Sequence, residues 1–206
     1  MPLREWLAYH QREIVFDQCR WMGVPALKNP LDAWIYQEIL WDVRPDVLIE
    51  IGSHSGGSTL YFAHLMDILD HGQVVSIDID RSRFRVEHAR ITALTGDCAA
   101  PEIVGKVAAL CHGRKVIVIH DGDHRRPAVR RDLELYAGFV SPGSYLIVED
   151  GILDLFPPGD DFGWLAEGPL PAIDDFLAAH PEFEVDVARE RYIVTYNPKG
   201  FLRRLR

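Results

Sequence analysis

Apolar residues in the first 44 positions recur at helical spacing, whereas from residue 45 onward they collect into short runs divided by polar, Gly- and Pro-containing turns. Leu3 to Arg20 reads as an amphipathic helix, Gly23-Val24-Pro25 as a break, and Leu31 to Trp41 as a second helix led by Pro30. Strand-like runs follow at Val47 to Ile51, Val74 to Ile79, Val116 to Ile119 and Tyr145 to Val148, with a shorter one near Ile91 to Leu94. Helical stretches separate them at Ser58 to Leu69, Ser82 to His88, Pro101 to Leu110 and Arg126 to Gly138. Alternation of this kind predicts a mainly parallel sheet with helices on both faces, because parallel neighbours need a crossover between them.

The alternation stops near the end of the chain. Pro171 to His180 keeps a helical pattern, but Phe183 to Val187 and Tyr192 to Tyr196 are two β runs joined only by Ala188-Arg189-Glu190-Arg191. That link permits an antiparallel hairpin and is too short for a parallel crossover. The expected fold is therefore α/β and Rossmann-like: a mainly parallel seven-stranded sheet closed by an antiparallel C-terminal hairpin, over residues 45–206, with a helical extension over residues 1–44 and the whole forming a single domain. Between Leu153 and Pro169 the chain is rich in Pro, Gly and aromatic residues, and a connection of that length reads as a lid or binding loop.

Composition narrows the function classes. The 206 residues are 48% hydrophobic and 26% charged, values of an ordinary globular chain, and no apolar run approaches the roughly 20 residues needed to span a bilayer. The opening Met1-Pro2-Leu3-Arg4-Glu5-Trp6 has no apolar h-region or small-residue cleavage site, so a cytoplasmic location without membrane attachment is expected. Cys19, Cys98 and Cys111 show no C-x-x-C spacing, which excludes a thiolate zinc pattern and fits core or inert thiols. A net charge of −9 argues against a nucleic-acid partner. The Arg-rich end from Phe201 to Arg206 reads as a solvated tail or a contact in a homodimer or higher homo-oligomer.

Two places carry candidate chemistry. The first is Glu50-Ile51-Gly52-Ser53-His54-Ser55-Gly56-Gly57-Ser58, which follows an apolar strand and opens a helix. Glycines there let backbone approach a ligand, and the helix start presents unpaired N–H groups. The spacing fails the G-x-G-x-x-G fingerprint, and no Lys-Ser/Thr follows as in a phosphate-binding loop. An acidic residue, Glu50, ends the strand instead, and this suits the zwitterionic methionine part of S-adenosylmethionine (SAM) better than a pyrophosphate. Asp78, at the end of the next strand, is placed to receive ribose hydroxyls. Asp80 is equally suited to capping the helix expected from Ser82, and Asp97 in Thr95-Gly96-Asp97-Cys98 is a candidate for the adenine amine.

The second place is the pair of runs His120-Asp121-Gly122-Asp123-His124 and Glu149-Asp150-Gly151, each at the carboxyl end of a predicted parallel strand. Open α/β sheets place ligands there. Three carboxylates brought together need a cation or shared protons, and hard oxygen donors favour magnesium, so Asp121, Glu149 and Asp150 are the expected metal ligands. His124 is the expected base for a substrate hydroxyl whose pKa the metal lowers. His120 reads as a satisfied core histidine and Asp123 as a turn residue. Lys28, Tyr36, Phe162 and Trp164 are candidate contacts to a small-molecule or oligosaccharide acceptor.

These residues resemble the cephalosporin hydroxylase and rhamnosyl O-methyltransferase family over nearly the whole chain. The likeness includes Trp21 to Pro30, Asp32-Ala33-Trp34-Ile35-Tyr36-Gln37-Glu38, the turn from Glu50 to Ser58, Asp78, Asp121 to His124, Glu149-Asp150, Gly168 to Ile173, and Tyr192 to Leu202. The resemblance implies a SAM-dependent, magnesium-dependent, oligomeric O-methyltransferase acting on sugar hydroxyls or antibiotic precursors. It further implies that Asp121, Glu149 and Asp150 hold the metal and that His124 acts as base. The chain is short for the family, chiefly at its N-terminal side. An iron oxygenase would show a His-x-Asp/Glu pair with a distant His; the single match, His180-Pro181-Glu182, falls on an expected turn away from the glycine crevice. The alternatives are a catechol-type O-methyltransferase, a non-catalytic SAM-binding protein, and an NAD-dependent oxidoreductase.

Overall fold

The computed structural model describes residues 1–156 and 167–206. Its main sheet follows the β-runs of the sequence. Helix α1 spans Leu3–Tyr9 and continues as a π-helical stretch over His10–Phe16. The small antiparallel pair β1 (Arg20–Trp21) and β2 (Val24–Pro25) follows, so the helix expected to reach Arg20 stops short of it. Helix α2 (Pro30–Val43) begins with Asn29 capping Leu31 N and with Pro at its first position, where a missing N–H costs nothing.

Then come β3 (Val47–Ile51), α3 (Gly57–Ile68), β4 (Gln73–Asp78), β5 (Ile91–Thr95), α4 (Pro101–Cys111), β6 (Val116–His120), α5 (Arg126–Tyr136), β7 (Tyr145–Val148), α6 (Pro169–Ala179), β8 (Phe183–Val185) and β9 (Phe201–Arg204). Among the described residues the main sheet has seven strands in the order β5-β4-β3-β6-β7-β9-β8. The first five are parallel neighbours, and β9 runs antiparallel to both β7 and β8. Every residue of β3, β6 and β7 is buried, as expected of central strands covered on both faces. One core layer packs α4, α5 and α6 on the sheet, and the other packs α2 and α3.

Three expectations change. Ser82 to His88 is not a helix. Asp80 takes the Ser82 backbone N–H and hydroxyl at 2.8 and 2.9 Å, which competes with helical bonding, and Phe84 and Val86 are drawn across Gly56. Tyr192 to Tyr196 is not a strand, because buried Asp32 of α2 accepts from Tyr196 N at 2.8 Å and from the Thr195 hydroxyl at 2.6 Å. The antiparallel partner is the Arg-rich end itself. Phe201 and Leu202 are fully buried in β9, and the preceding Gly200 lies so close to Val148 that a Cβ would sit 2.1 Å from the Val148 carbonyl oxygen. Most of the tail is thus an interior strand of the sheet, with Arg203 and the last two residues, Leu205 and Arg206, exposed.

Candidate active site

The parallel order sets the carboxyl ends of β4, β3, β6 and β7 side by side, and the loops leaving them line one cavity of about 980 Å³. Gly52 leaves β3 at φ +85°, and a Cβ there would lie 2.0 Å from the Asp121 carbonyl oxygen. Only glycine allows the β3 and β6 loops to approach so closely. The Asp121 N–H returns the contact by donating to the Ile51 carbonyl at 2.8 Å.

On the β3–β4 side, one oxygen of Asp78 accepts from Ser53 N (2.9 Å), Ser53 Oγ (3.1 Å) and His54 N (2.9 Å), and the other accepts from Asp80 N (3.0 Å). Burial alone would raise the Asp78 pKa, but these donors outweigh it and hold the carboxyl below its ordinary value. His54 reaches Arg83 at 2.8 Å and Ser55 lies behind the turn, bonded to His54 at 3.0 Å. Asp97 lines the cavity and accepts from Ala99 N at 2.9 Å. Glu50 is not an open acceptor on the cavity wall. It is fully buried beneath the turn, accepts from the Ser58 and Thr59 hydroxyls, and is pushed up to about 7 by burial, against the pull of Lys28.

Arg81 is a member of this half that no motif announced. Its guanidinium donates to Ser53 Oγ at 2.8 Å, Ser76 Oγ at 3.1 Å and the Leu94 carbonyl at 3.0 Å, bracing the turn from below. The signal available was its place directly after the Asp78-Ile79-Asp80 strand end.

On the β6–β7 side, Asp121, His124 and Asp150 are, among the described residues, the group that can hold a metal, their ligand atoms lying within 4.8 Å of one another. His124 Nε2 is 3.3 Å from Asp150 Oδ2, while His124 Nδ1 is buried without a partner. Asp150 holds a left-handed backbone at φ +60°, uncommon outside glycine, with its N–H bonded to Asn197 at 3.1 Å. Burial raises the carboxyl pKa of both Asp121 and Asp150.

Glu149 stands one step back from that trio. Its Oε2 accepts from Lys28 Nζ at 2.7 Å, its Oε1 is buried with no partner, and burial together with Asp121 pushes it up to about 7. Lys28 lines the cavity, but its ammonium is committed to Glu149 and Asp121. Hard oxygen donors, crowded carboxylates with raised pKa and an orphaned buried oxygen on Glu149 suit a divalent cation.

Tyr36 is not an acceptor contact. It faces the core from α2, 1% exposed, between Phe62 and Phe201, and its hydroxyl accepts from Asn197 Nδ2 at 2.7 Å. Phe162 and Trp164 lie outside the described residues, as does the middle of the proposed lid. His120 is a satisfied core histidine, 3.0 Å from buried Asp132, and Asp123 holds its turn through Arg125 N at 3.0 Å. The His180 nitrogens are taken by Glu182 and Glu134, both at 3.0 Å, on the turn after α6. Burial raises all three thiols, Cys98 to about 12 and Cys111 to about 11, as inert cysteines require.

The π-helical stretch closes the cavity beyond β7. Val15 packs on Ile152, Leu153, Phe156 and Tyr196, just past Asp150, and this sets Gln11 and Phe16 into the cavity wall beside Pro25, Leu27 and Leu153. Gln11 is 1% exposed and its Oε1 has no partner. Sequence reasoning passed over it because a lone Gln on an amphipathic helix carries no spacing signal.

A family model described as Rhamnosyl O-methyltransferase/CmcI matches residues 13–205. A rhamnosyl O-methyltransferase of Mycobacterium leprae (strain TN) is 33% identical over 205 residues, covering 96% of this chain and 88% of the relative. Among solved structures, CmcI with Mg and SAM aligns with a TM-score of 0.70 and 25% identity, covering 100% of this chain and 85% of that one. The mycinamycin-pathway methyltransferase MycE, in complex with Mg and SAH, shares the fold at a TM-score of 0.56 and 23% identity, covering 83% of this chain and 48% of that one. No helix among the described residues is long and apolar enough to cross a membrane.

Proposed function

Because the chain belongs to the rhamnosyl O-methyltransferase/CmcI family, we propose that it transfers the methyl group of SAM to a sugar hydroxyl, assisted by a divalent cation, with magnesium preferred. One observation carries this reading: the cluster of Asp121, His124 and Asp150 opens into the same cavity as Gly52, Ser53 and Asp78. A donor nucleoside and an acceptor hydroxyl could then meet in a single cavity.

Asp78 is fixed by its loop donors before any ligand arrives, and the oxygen facing Asp80 keeps room for a further hydrogen bond from a ribose hydroxyl. Asp97, which also lines the cavity, would accept from the adenine amine. Asp121 and Asp150 would hold the cation, with Glu149 close behind them and Lys28 taking part of the carboxylate charge. When bound, SAM supplies an electrophilic methyl group and the metal lowers the pKa of the acceptor hydroxyl.

His124 takes the hydroxyl proton at Nε2, since Nδ1 is buried, and Asp150 at 3.3 Å stabilises the imidazolium that forms. Phe16, Pro25, Leu27 and Leu153 exclude water and offer apolar surface to the carbon face of a sugar ring. Most of the acceleration comes from holding the attacking oxygen, the methyl carbon and the sulfonium sulfur in line, so that the O–C bond forms as the C–S bond breaks and SAH leaves as a neutral thioether.

The test is a methyl-transfer assay with SAM on a panel of rhamnosides, other hexosides and catechols, run with chelator and again after magnesium is restored. Turnover on a glycoside that stops with chelator and returns with magnesium is the expected result. Turnover confined to catechols, or indifferent to chelator, overturns the sugar or the metal half of the reading respectively.

A further inference from the structure

Lys28 is held where a lysine is expensive to keep. The residue is 6% exposed, and its ammonium donates to Asp121 Oδ2 and Glu149 Oε2. One buried ammonium is thus ion-paired to two carboxylates of the cluster at once.

Its backbone is fixed as well. Lys28 N–H donates to the Ala26 carbonyl at 2.8 Å, the Lys28 carbonyl accepts from Cys19 Sγ at 3.3 Å, and the next residue, Asn29, caps α2. The β1–β2 pair and α2 thus deliver one positive charge to the carboxylate cluster by a short, anchored route. Asp121, Glu149 and Asp150 ionised carry three negative charges, and Lys28 leaves two, the amount one divalent ion cancels.

We infer that Lys28 is a resident cation of the metal centre: it takes up one carboxylate charge, keeps Asp121 and Glu149 together, and tunes the cluster to a divalent ion at moderate affinity. The inference rests on the reading that this cluster holds a metal. It goes further in assigning Lys28 to the metal rather than to the acceptor. Without that ammonium the cluster carries one more negative charge, so it should bind divalent ions more tightly, favour trivalent ions more strongly still, and depend on metal for its stability.

The experiment measures Mn2+ and Tb3+ binding by calorimetry, and thermal midpoints with and without Mn2+, for the intact chain and for Lys28→Gln, Lys28→Met and Lys28→Arg. For Lys28→Gln and Lys28→Met the expected result is Mn2+ affinity tighter by about 10-fold or more, a larger gain for Tb3+, and a lowered midpoint that Mn2+ restores. Lys28→Arg keeps the charge and should change Mn2+ affinity less than either neutral variant does. Lys28→Gln removes the charge while keeping an N–H donor near the carboxylates. Should Lys28→Met not fold without metal, its recovery of structure on Mn2+ addition supports the inference, and failure to recover counts against it. Unchanged or weaker Mn2+ binding in Lys28→Gln, with SAH affinity intact, overturns the inference while leaving the metal reading in place. Absence of Mn2+ binding in the parent chain overturns both.

Discussion

The two halves of the cavity solve the problem of a buried carboxylate in opposite ways. Asp78 is surrounded by N–H and O–H donors from Ser53, His54 and Asp80, so its charge is stabilised by the protein itself and its pKa falls. Asp121, Glu149 and Asp150 have few such donors, lie against one another, and are raised by burial. A carboxylate satisfied by backbone is ready for a neutral hydroxyl. A cluster left short of donors is ready for a cation, and this difference is what the proposed division into a nucleoside end and a metal end rests on.

The comparison can be broken at four points. The largest effect is expected from Asp121→Asn, which should lower the methyl-transfer rate by about 10²- to 10³-fold and leave the dissociation constant for SAH within about 3-fold; equal losses in both would mean the halves are not separable. Gly52→Ala is next. The added Cβ meets the Asp121 carbonyl oxygen at 2.0 Å from a backbone at φ +85°, so urea unfolding should show a loss of about 3 kcal/mol. Asp78→Asn should weaken SAH binding by about 10- to 100-fold, the worth of one charge-assisted hydrogen bond, while Mn2+ binding changes little.

The smallest effect concerns pH. The Glu50 carboxyl is raised from its ordinary 4.5 to about 7, so the folded chain holds that proton more tightly than the unfolded chain does. Its contribution to stability is complete below about 4.5 and is lost as pH rises toward about 7. Glu50→Gln cannot ionise and should escape that loss. The difference in thermal midpoint between variant and parent should therefore widen by a few degrees from about pH 5 to about pH 8. Asp32 and Glu149 are raised too, but they are present in both proteins and cancel in the difference. A constant difference across that range would contradict the burial assigned to Glu50.

Strand ends were legible and lateral pairings were not. Val47–Ile51 and Tyr145–Val148 match the expected runs residue for residue, because an apolar stretch bounded by charged or turn residues marks a central strand from sequence alone. Asp121, His124 and Asp150, expected from sequence near the carboxyl ends of such runs, do lie together there, and Asp78 ends β4 itself. The ion pairs of Lys28 join positions 93 and 121 residues apart, a relation that local pattern does not carry. Tyr36 looked like a sugar platform because aromaticity is visible in sequence and facing direction is not. The β9 strand was hidden by its own charge: Arg203 and Arg204 suggested a tail, while the close approach of Gly200 to Val148 put Phe201 and Leu202 inside the sheet.

The contact between Gly52 and the Asp121 backbone has an energetic corollary. The loop that would carry the nucleoside and the loop that would carry the metal meet through one hydrogen bond and one van der Waals surface. Any coupling between two ligands seated across that joint is reciprocal. By whatever factor metal tightens the nucleotide, the nucleotide tightens the metal by the same factor. The order of addition then decides how fast the ternary complex assembles, and the free energy of that complex is the same by either route.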